Sequence, residues 1–395
     1  MFHRRDGKEI LDGILGCHCC IFPLVAGIPI LHLRANAIAA RAQVEAGRPD
    51  AALRTMVELD DESGAARFEA AARSDRSTYK EVVEALGPNF EGGYFLYRFS
   101  DPTYVVAHAV VRAVAGTVLH GARRAVDVCG GSGHLARALL DLSAPAPVLA
   151  DLYFAKAWLA RRFVVPGCAA VCCDGNDPLP FARGAFGLAI CSDAFQYIWT
   201  KRRFVGEMER LVAAADEAEP GAVVISHTHN QLAWSPSHGQ PLSPAGYRDL
   251  FEAFEPRIFG EAGLLADVVG GGPLDLSRRD ADAALDADPA LTIVATDRRD
   301  VFQEHGLEVP SPPRGALRIN PLYQAESDGT RVRLHLRFPS PEYEAEYAAC
   351  RQYLPEEAEV DRPTWEALES GAPAAGSLAD LRRRRIVLDL PRDYY

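Results

Sequence analysis

The stretch Asp127-Val-Cys-Gly-Gly131-Ser-Gly133 closes a short apolar run, AVDVC (125–129), and precedes the helical pattern HLARALLDL (134–142). Glycines between a strand and a helix let the backbone approach a ligand that side chains would obstruct, and a helix N-terminus there favours a nucleotide-type group. The string also satisfies G-x-G-x-x-A through Gly131, Gly133 and Ala136, and Asp151 follows Gly131 by twenty residues at the end of the next apolar run. A carboxylate at that place accepts from ribose hydroxyls, so a dinucleotide is as good a reading of this pattern alone as any other.

Working outward, short apolar runs alternate with amphipathic segments: strand PVLAD, helix AKAWLARRF, strand AAVCCD, strand AFGLAICSD, helix FVGEMERLVAAA, strand AVVISHTH. This alternation predicts a doubly wound α/β fold, with a mostly parallel sheet covered on both faces. Before it, Thr78 with Glu81 forms a capping box, and Asp101-Pro102 starts a helix over Thr103 to Leu119. After it, Ser243-Pro244 starts a helix reaching about Phe254, GEAGLLADVVGGGPLDL (260–276) reads as a Gly-rich connection, and LTIVATDR reads as a late strand of the same sheet. A strand at VRLHLRF, a helix over Glu342 to Tyr353 and a last strand at RIVLDL are expected beyond residue 310.

Two features separate the candidate ligands. Asp127 sits at the mouth of the loop, awkward beside a pyrophosphate but suited to a ligand bearing an ammonium group. Asp174 ends the third strand, where it can accept from an adenine amino group, and the fourth strand ends in Cys191-Ser192-Asp193. With these in place the sequence resembles the class I S-adenosylmethionine-dependent methyltransferases, in particular the ubiquinone- and menaquinone-biosynthesis-like group. Four ordered elements carry the likeness: VDVCGGSG (126–133), VLAD (148–151), CDGNDPLPFARGAF (173–186) and LAICSDAFQYI (188–198). The resemblance implies a seven-stranded Rossmann-like sheet with S-adenosylmethionine as cofactor. It also implies that Gly131 and Gly133 pass close to the methionine portion, Asp127 orients the ammonium and Asp151 holds the ribose. Asp174 with Gly175 would read the adenine, and Ser192 would border the cofactor. Cys129 stands where the group has its first glycine, Gly187 where it has an aspartate, and Gln196 where it often has a histidine.

The segment GILGCHCCIFPLVAGIPILHL (13–33) resembles a small zinc-ribbon-like module that accompanies some methyltransferases, with Cys17 and Cys20 as one Cys-x-x-Cys pair. A structural zinc needs four ligands, and there is no second pair. His18 and Cys19 are neighbours that do not easily converge with Cys17 and Cys20, so a metal-free remnant is expected. His227 and His229 end the fifth strand and His238 follows. Reacting groups gather at carboxyl ends of strands in such sheets. Alternation places 227 and 229 on one face, as two metal ligands, as a base and its partner, or as loop histidines bonded to backbone. The expectation is proton removal without a metal.

The chain has 395 residues, 48% apolar and 24% charged, with a formal charge of −12. That excludes disorder and gives little field for phosphate backbones, so a small-molecule substrate is expected, with no nucleic-acid partner. Nine clustered cysteines suit a reduced compartment, hence a cytoplasmic protein. Pro23, Pro29, His18 and His32 interrupt the one apolar segment, leaving no run near the roughly 18 apolar residues a span requires. The expected organisation is 1–33 zinc-ribbon-like, 34–100 helical cap, 101–305 cofactor-binding core and 306–395 extension. A homodimer is compatible with this reading. The expected activity is methyl transfer to a hydroxyl of a secondary metabolite or saccharide. An NAD(P) oxidoreductase, a non-methylating user of the same cofactor and a non-catalytic adaptor are the alternatives.

Overall fold

The computed structural model describes residues 3–59, 62–87, 92–121, 123–140, 142, 145–214, 219–234, 239–307, 313–372 and 378–395. The chain opens with an antiparallel meander: β1 (Arg4–Asp6), β2 (Glu9–Gly16), β3 (Ile21–Val25) and β4 (Ile28–Pro29). Helices follow: α1 (Ala35–Glu45), α2 (Pro49–Val57), α3 (Glu62–Arg73), α4 (Tyr79–Leu86), α5 (Gly92–Tyr97) and α6 (Pro102–Val118). The capping box at Thr78 and the Asp101 cap, with Pro102 in the first turn, start α4 and α6 as the sequence predicts.

The central unit contains β5 (Arg124–Val128), α7 (His134–Arg137), β6 (Val148–Asp151), α8 (Phe154–Leu159), β7 (Ala169–Cys172), β8 (Phe186–Ser192), α9 (Lys201–Val212) and β9 (Ala222–His229). It continues through α10 (Pro244–Arg248), β10 (Pro256–Gly260), α11 (Glu261–Gly270), β11 (Leu274–Asp275), α12 (Asp282–Ala287), β12 (Ala290–Ala295) and β13 (Glu304–His305). Seven strands form one sheet in the order β7-β6-β5-β8-β9-β12-β10, in which only β12 runs against its neighbours. This is the expected mostly parallel α/β sheet. Alternate residues feed two cores: Leu149, Leu188, Ile190, Val224 and Val294 pack on one side, and Val126, Val148, Ala189, Val223 and Ile293 on the other. Strand order reverses between β5 and β8, which opens a crevice at their carboxyl ends.

Two expectations are corrected. The Gly-rich stretch from 261 is the helix α11, closed by Gly271 in the left-handed region, because only Gly263 interrupts it before its end and Leu264 and Leu265 supply a buried face. The helix from Ser243 ends at Arg248 and does not reach Phe254. His238 lies outside the described residues.

The amino-terminal meander packs at the β7 edge: Ile30 bridges Cys172 in parallel, and the Leu31 N–H donates to the Cys172 carbonyl at 2.7 Å. That covers an otherwise open strand edge. The carboxyl-terminal part comprises β14 (Ala316–Ile319), β15 (Tyr323–Asp328), β16 (Arg331–Leu336), α13 (Pro341–Tyr347), β17 (Glu357–Asp361), α14 (Arg362–Ser370), α15 (Ala379–Arg383) and β18 (Val387–Leu390). It has its own core around Leu322, Leu334, Tyr343 and Ile386. Its last residues return to the cap, where Tyr394 stacks on Tyr79 at 4.5 Å and donates to the Phe95 carbonyl, and Tyr395 donates to that of Leu96.

Candidate functional site

The loop after β5 turns through three left-handed residues, Cys129 (φ +59°), Gly131 (+55°) and Gly133 (+81°). At Gly133 the space is closed as well: a Cβ would come within 3.0 Å of Ala160 and Val165. The Gly131 N–H donates to one oxygen of Asp151 at 2.9 Å, and the Tyr153 N–H to the other at 2.8 Å. One strand-end carboxylate thus fixes the course of the loop.

Asp127 is 1% exposed, and neither carboxylate oxygen has a hydrogen-bond partner among the described residues. Burial, then the charge of Asp151, push its pKa up to about 7, and the nearby Ala136 amide, which does not reach hydrogen-bonding geometry, offsets this only in part. A buried, unpartnered acid costs stability unless a cation or donor reaches it. The native chain therefore holds an extra proton between about 3.8 and 7, and stability falls as pH rises through that window. Asp127→Asn should accordingly raise the melting temperature of the ligand-free protein at pH 8 and change it little near pH 4. Equal midpoints at pH 8 would show that the acid is already satisfied.

Asp174 is engaged more fully than expected. Its Oδ1 accepts from the Asn176 backbone and side-chain amides at 2.9 and 3.0 Å, and its Oδ2 from Arg34 at 2.8 Å. Burial alone would raise its pKa, but these donors hold it below the usual carboxylate range. Asn176 also accepts from the Trp199 and Thr200 amides, tying the Asp174 turn to the start of α9. Gly175 lies where a Cβ would press on Ile198 and Cys129. The Ser192 hydroxyl accepts from that of Ser226 at 2.9 Å.

A second cluster lies at the ends of β8 and β9. A bulge in the β9 pairing, opposite Thr292, turns His227 to φ +49°, and Asp193 is left-handed too, at +52°. Non-glycine residues in this region carry strain of order 1 kcal/mol and gather where a side chain must be aimed. The two imidazoles meet at 84° with centroids 5.5 Å apart, and potential ligand atoms of Asp193, His227 and His229 lie within 4.8 Å of one another. Glu261, the first residue of α11, grips His227 twice, accepting from its backbone N–H and from Nδ1, each at 2.7 Å. Thr292 donates to the same carboxylate, and His227 Nε2 lies 3.3 Å from the Thr103 hydroxyl. Burial works against the charge on His227, but Glu261 and Asp193 win and push its pKa up to about 9. Burial, then the charge of His227, hold His229 below the usual imidazole value. These surroundings favour charge on His227 and neutrality on His229 near pH 7, so of the two rings His229 is the one suited to take up a proton.

Arg98 bridges the cluster to the cap, donating to Asp193 at 2.6 Å and to Asp101 at 3.3 Å. Carboxyl-terminal residues hold the segment that carries it: Tyr353 donates to the Ser100 carbonyl at 2.7 Å and Arg385 to that of Phe99 at 2.7 Å. Sequence reasoning missed Arg98, Asn176 and Glu261. Asp193 was visible at a strand end, but nothing in the sequence ties Glu261 to a histidine thirty-four residues earlier.

At the meander tip the structure corrects a further expectation. Cys19 does converge with its neighbours, its Sγ lying 3.2 Å from that of Cys17 and 3.6 Å from that of Cys20.

No protein-family model and no curated protein matches this chain. Among solved structures it is similar to the complex of the Haloferax volcanii Trm112 methyltransferase activator with a methyltransferase (18% identity, TM-score 0.38, covering 56% of this chain and 99% of that one). It is also similar to an S-adenosylmethionine-dependent methyltransferase of Thermotoga maritima (14%, 0.34, 56% and 98%). A third is phosphoethanolamine N-methyltransferase 2 of Haemonchus contortus with S-adenosyl-L-methionine (14%, 0.33, 49% and 57%). These likenesses concern the fold alone.

Proposed function

We propose that this chain transfers a methyl group from S-adenosylmethionine to a hydroxyl of a small molecule, a secondary metabolite or saccharide. One observation carries the cofactor reading: Asp127, buried at the mouth of the glycine loop, with neither oxygen hydrogen-bonded among the described residues. An ammonium group satisfies that acid, whereas a pyrophosphate beside it would be repelled, which disfavours NAD. Asp151 stands at the end of β6 beside the glycine loop, where a carboxylate suits ribose hydroxyls, and Asp174 at the end of β7 suits an adenine amino group. When bound, S-adenosylmethionine supplies an activated sulfonium methyl.

The chain's own residues then position and deprotonate the acceptor. His229, neutral at physiological pH, takes the hydroxyl proton. His227, held as a cation by Glu261, stabilises the oxygen as negative charge grows on it. No metal takes part in this reading, and the protein works in the cytoplasm without nucleic-acid or membrane partners. No helix among the described residues is long and apolar enough to cross a membrane.

Calorimetry with S-adenosylhomocysteine and NAD tests the cofactor: the first should bind and the second should not, and the reverse order would sink the proposal. The pH profile tests the histidine roles. Turnover should rise with pH through a value below about 6.5 as His229 loses its proton, stay level through neutrality, and fall near 9 as His227 loses its own. A profile with a single limb near neutrality would assign the two rings wrongly.

A further inference from the structure

The cysteines at the tip of the β2–β3 hairpin are not used by the reading above. Cys17, Cys19 and Cys20 fall within four consecutive residues, and the Cys17 N–H donates to the Cys20 carbonyl at 2.9 Å, which closes the turn. That closure brings all three sulfurs to one place. Cys19 Sγ stands 3.2 and 3.6 Å from the other two, all three lie within 4.8 Å of one another, and none is in a disulfide. Cys17 and Cys19 are exposed and Cys20 is half-buried, so the group is open to solvent.

An ion bound through metal–sulfur bonds of about 2.3 Å separates its thiolates by about 4.0 Å in a plane and about 3.8 Å in a tetrahedron. The hairpin therefore holds its sulfurs within about 0.8 Å of such a triangle, so a small opening of the tip admits the ion. Among the described residues no fourth cysteine, histidine or carboxylate joins the group. A tetrahedral structural zinc site is thus one ligand short, while a soft monovalent ion satisfied by three thiolates is not.

We propose that Cys17, Cys19 and Cys20 form a surface three-thiolate site for a thiophilic monovalent metal ion, with Cu(I) as its natural occupant. Binding releases the thiol protons and forms three metal–sulfur bonds, with no change in oxidation state. The occupied site is a trigonal thiolate complex on a short, exposed hairpin and is independent of the methyl-transfer site.

The full-length protein would be titrated under anaerobic, reducing conditions with Cu(I) held by bicinchoninate, whose coloured complex reports the metal it keeps. One equivalent should move to the protein, and X-ray absorption should show three sulfur neighbours at about 2.3 Å. Cys17→Ser, Cys19→Ser and Cys20→Ser should each weaken transfer by at least about a hundredfold, while Cys129→Ser should leave it unchanged. The exposed position predicts unaltered circular dichroism and melting temperature in the three tip variants, so loss of copper would not reflect unfolding. Copper that stays with bicinchoninate, or transfer that survives Cys19→Ser, would overturn the site. As isolated, the protein should carry well under one zinc per chain. Stoichiometric zinc with four protein ligands would also overturn the three-thiolate reading.

Discussion

Replacing His229 with alanine should lower turnover by about a hundredfold or more while cofactor affinity stays within about twofold. The lower bound follows from the usual contribution of a positioned general base, about a hundred- to ten-thousand-fold. His229 is the ring assigned that role because burial and the neighbouring His227 cation keep it neutral. His227→Ala should cost a comparable factor for a different reason, since it removes a fixed positive charge beside the reacting oxygen. The two variants are told apart by pH. His229→Ala should lose the acidic limb of the profile, and His227→Ala the limb near 9. Glu261→Gln should bring that upper limb down toward neutrality, because the carboxylate is the main group holding the His227 proton. Single-turnover rates with the native acceptor, measured from pH 5 to 10 with and without a chelator, provide the check. Near-native rates in both alanine variants would leave catalysis to positioning alone. Loss of activity on chelation would make the Asp193, His227 and His229 cluster a metal site.

Asp151→Ala should weaken S-adenosylhomocysteine by about ten- to a hundred-fold, the range expected when charge-assisted hydrogen bonds worth roughly 1.5 to 3 kcal/mol are lost. The structure adds a second route to the same loss, because this carboxylate also holds the Gly131 amide and so the course of the glycine loop. Asp151→Asn separates the two. Its amide oxygen can still accept from the Gly131 N–H, at the cost of the Tyr153 N–H bond, so the glycine loop should keep its path, whereas the charged acceptor for the ribose is gone. Calorimetry on both variants, with melting temperatures to confirm folding, measures the effect. Unchanged affinity in both would mean that the ribose is held elsewhere.

Much of this molecule is legible in its sequence because the information is local. The alternation of apolar runs with amphipathic helices specifies a sheet buried on both faces, and neighbouring strand residues do go to opposite cores. Caps at Thr78, Asp101 and Ser243 are set by side chains that bond amides three residues on, a distance any sequence displays. Asp127, Asp151 and Asp174 are legible as strand-end acids for the same reason. What these groups do with their protons is decided elsewhere in the chain. Whether Asp127 is satisfied depends on what surrounds a buried carboxylate, and Asp174 meets Arg34 from 140 residues away. The push of His227 toward its charged form comes chiefly from Glu261, in a segment that reads as a glycine-rich connection and becomes a helix because Leu264 and Leu265 find a core to enter. Arg98 reaches Asp193 across ninety-five residues, on a segment held by hydrogen bonds from Tyr353 and Arg385. Local patterning therefore determined the sheet, the loop and the residue types at its mouth. Only the tertiary structure decided which histidine is pushed toward the charged form and which toward the neutral one, because ionisation follows burial and the nearest opposite charge, and both are properties of the folded chain.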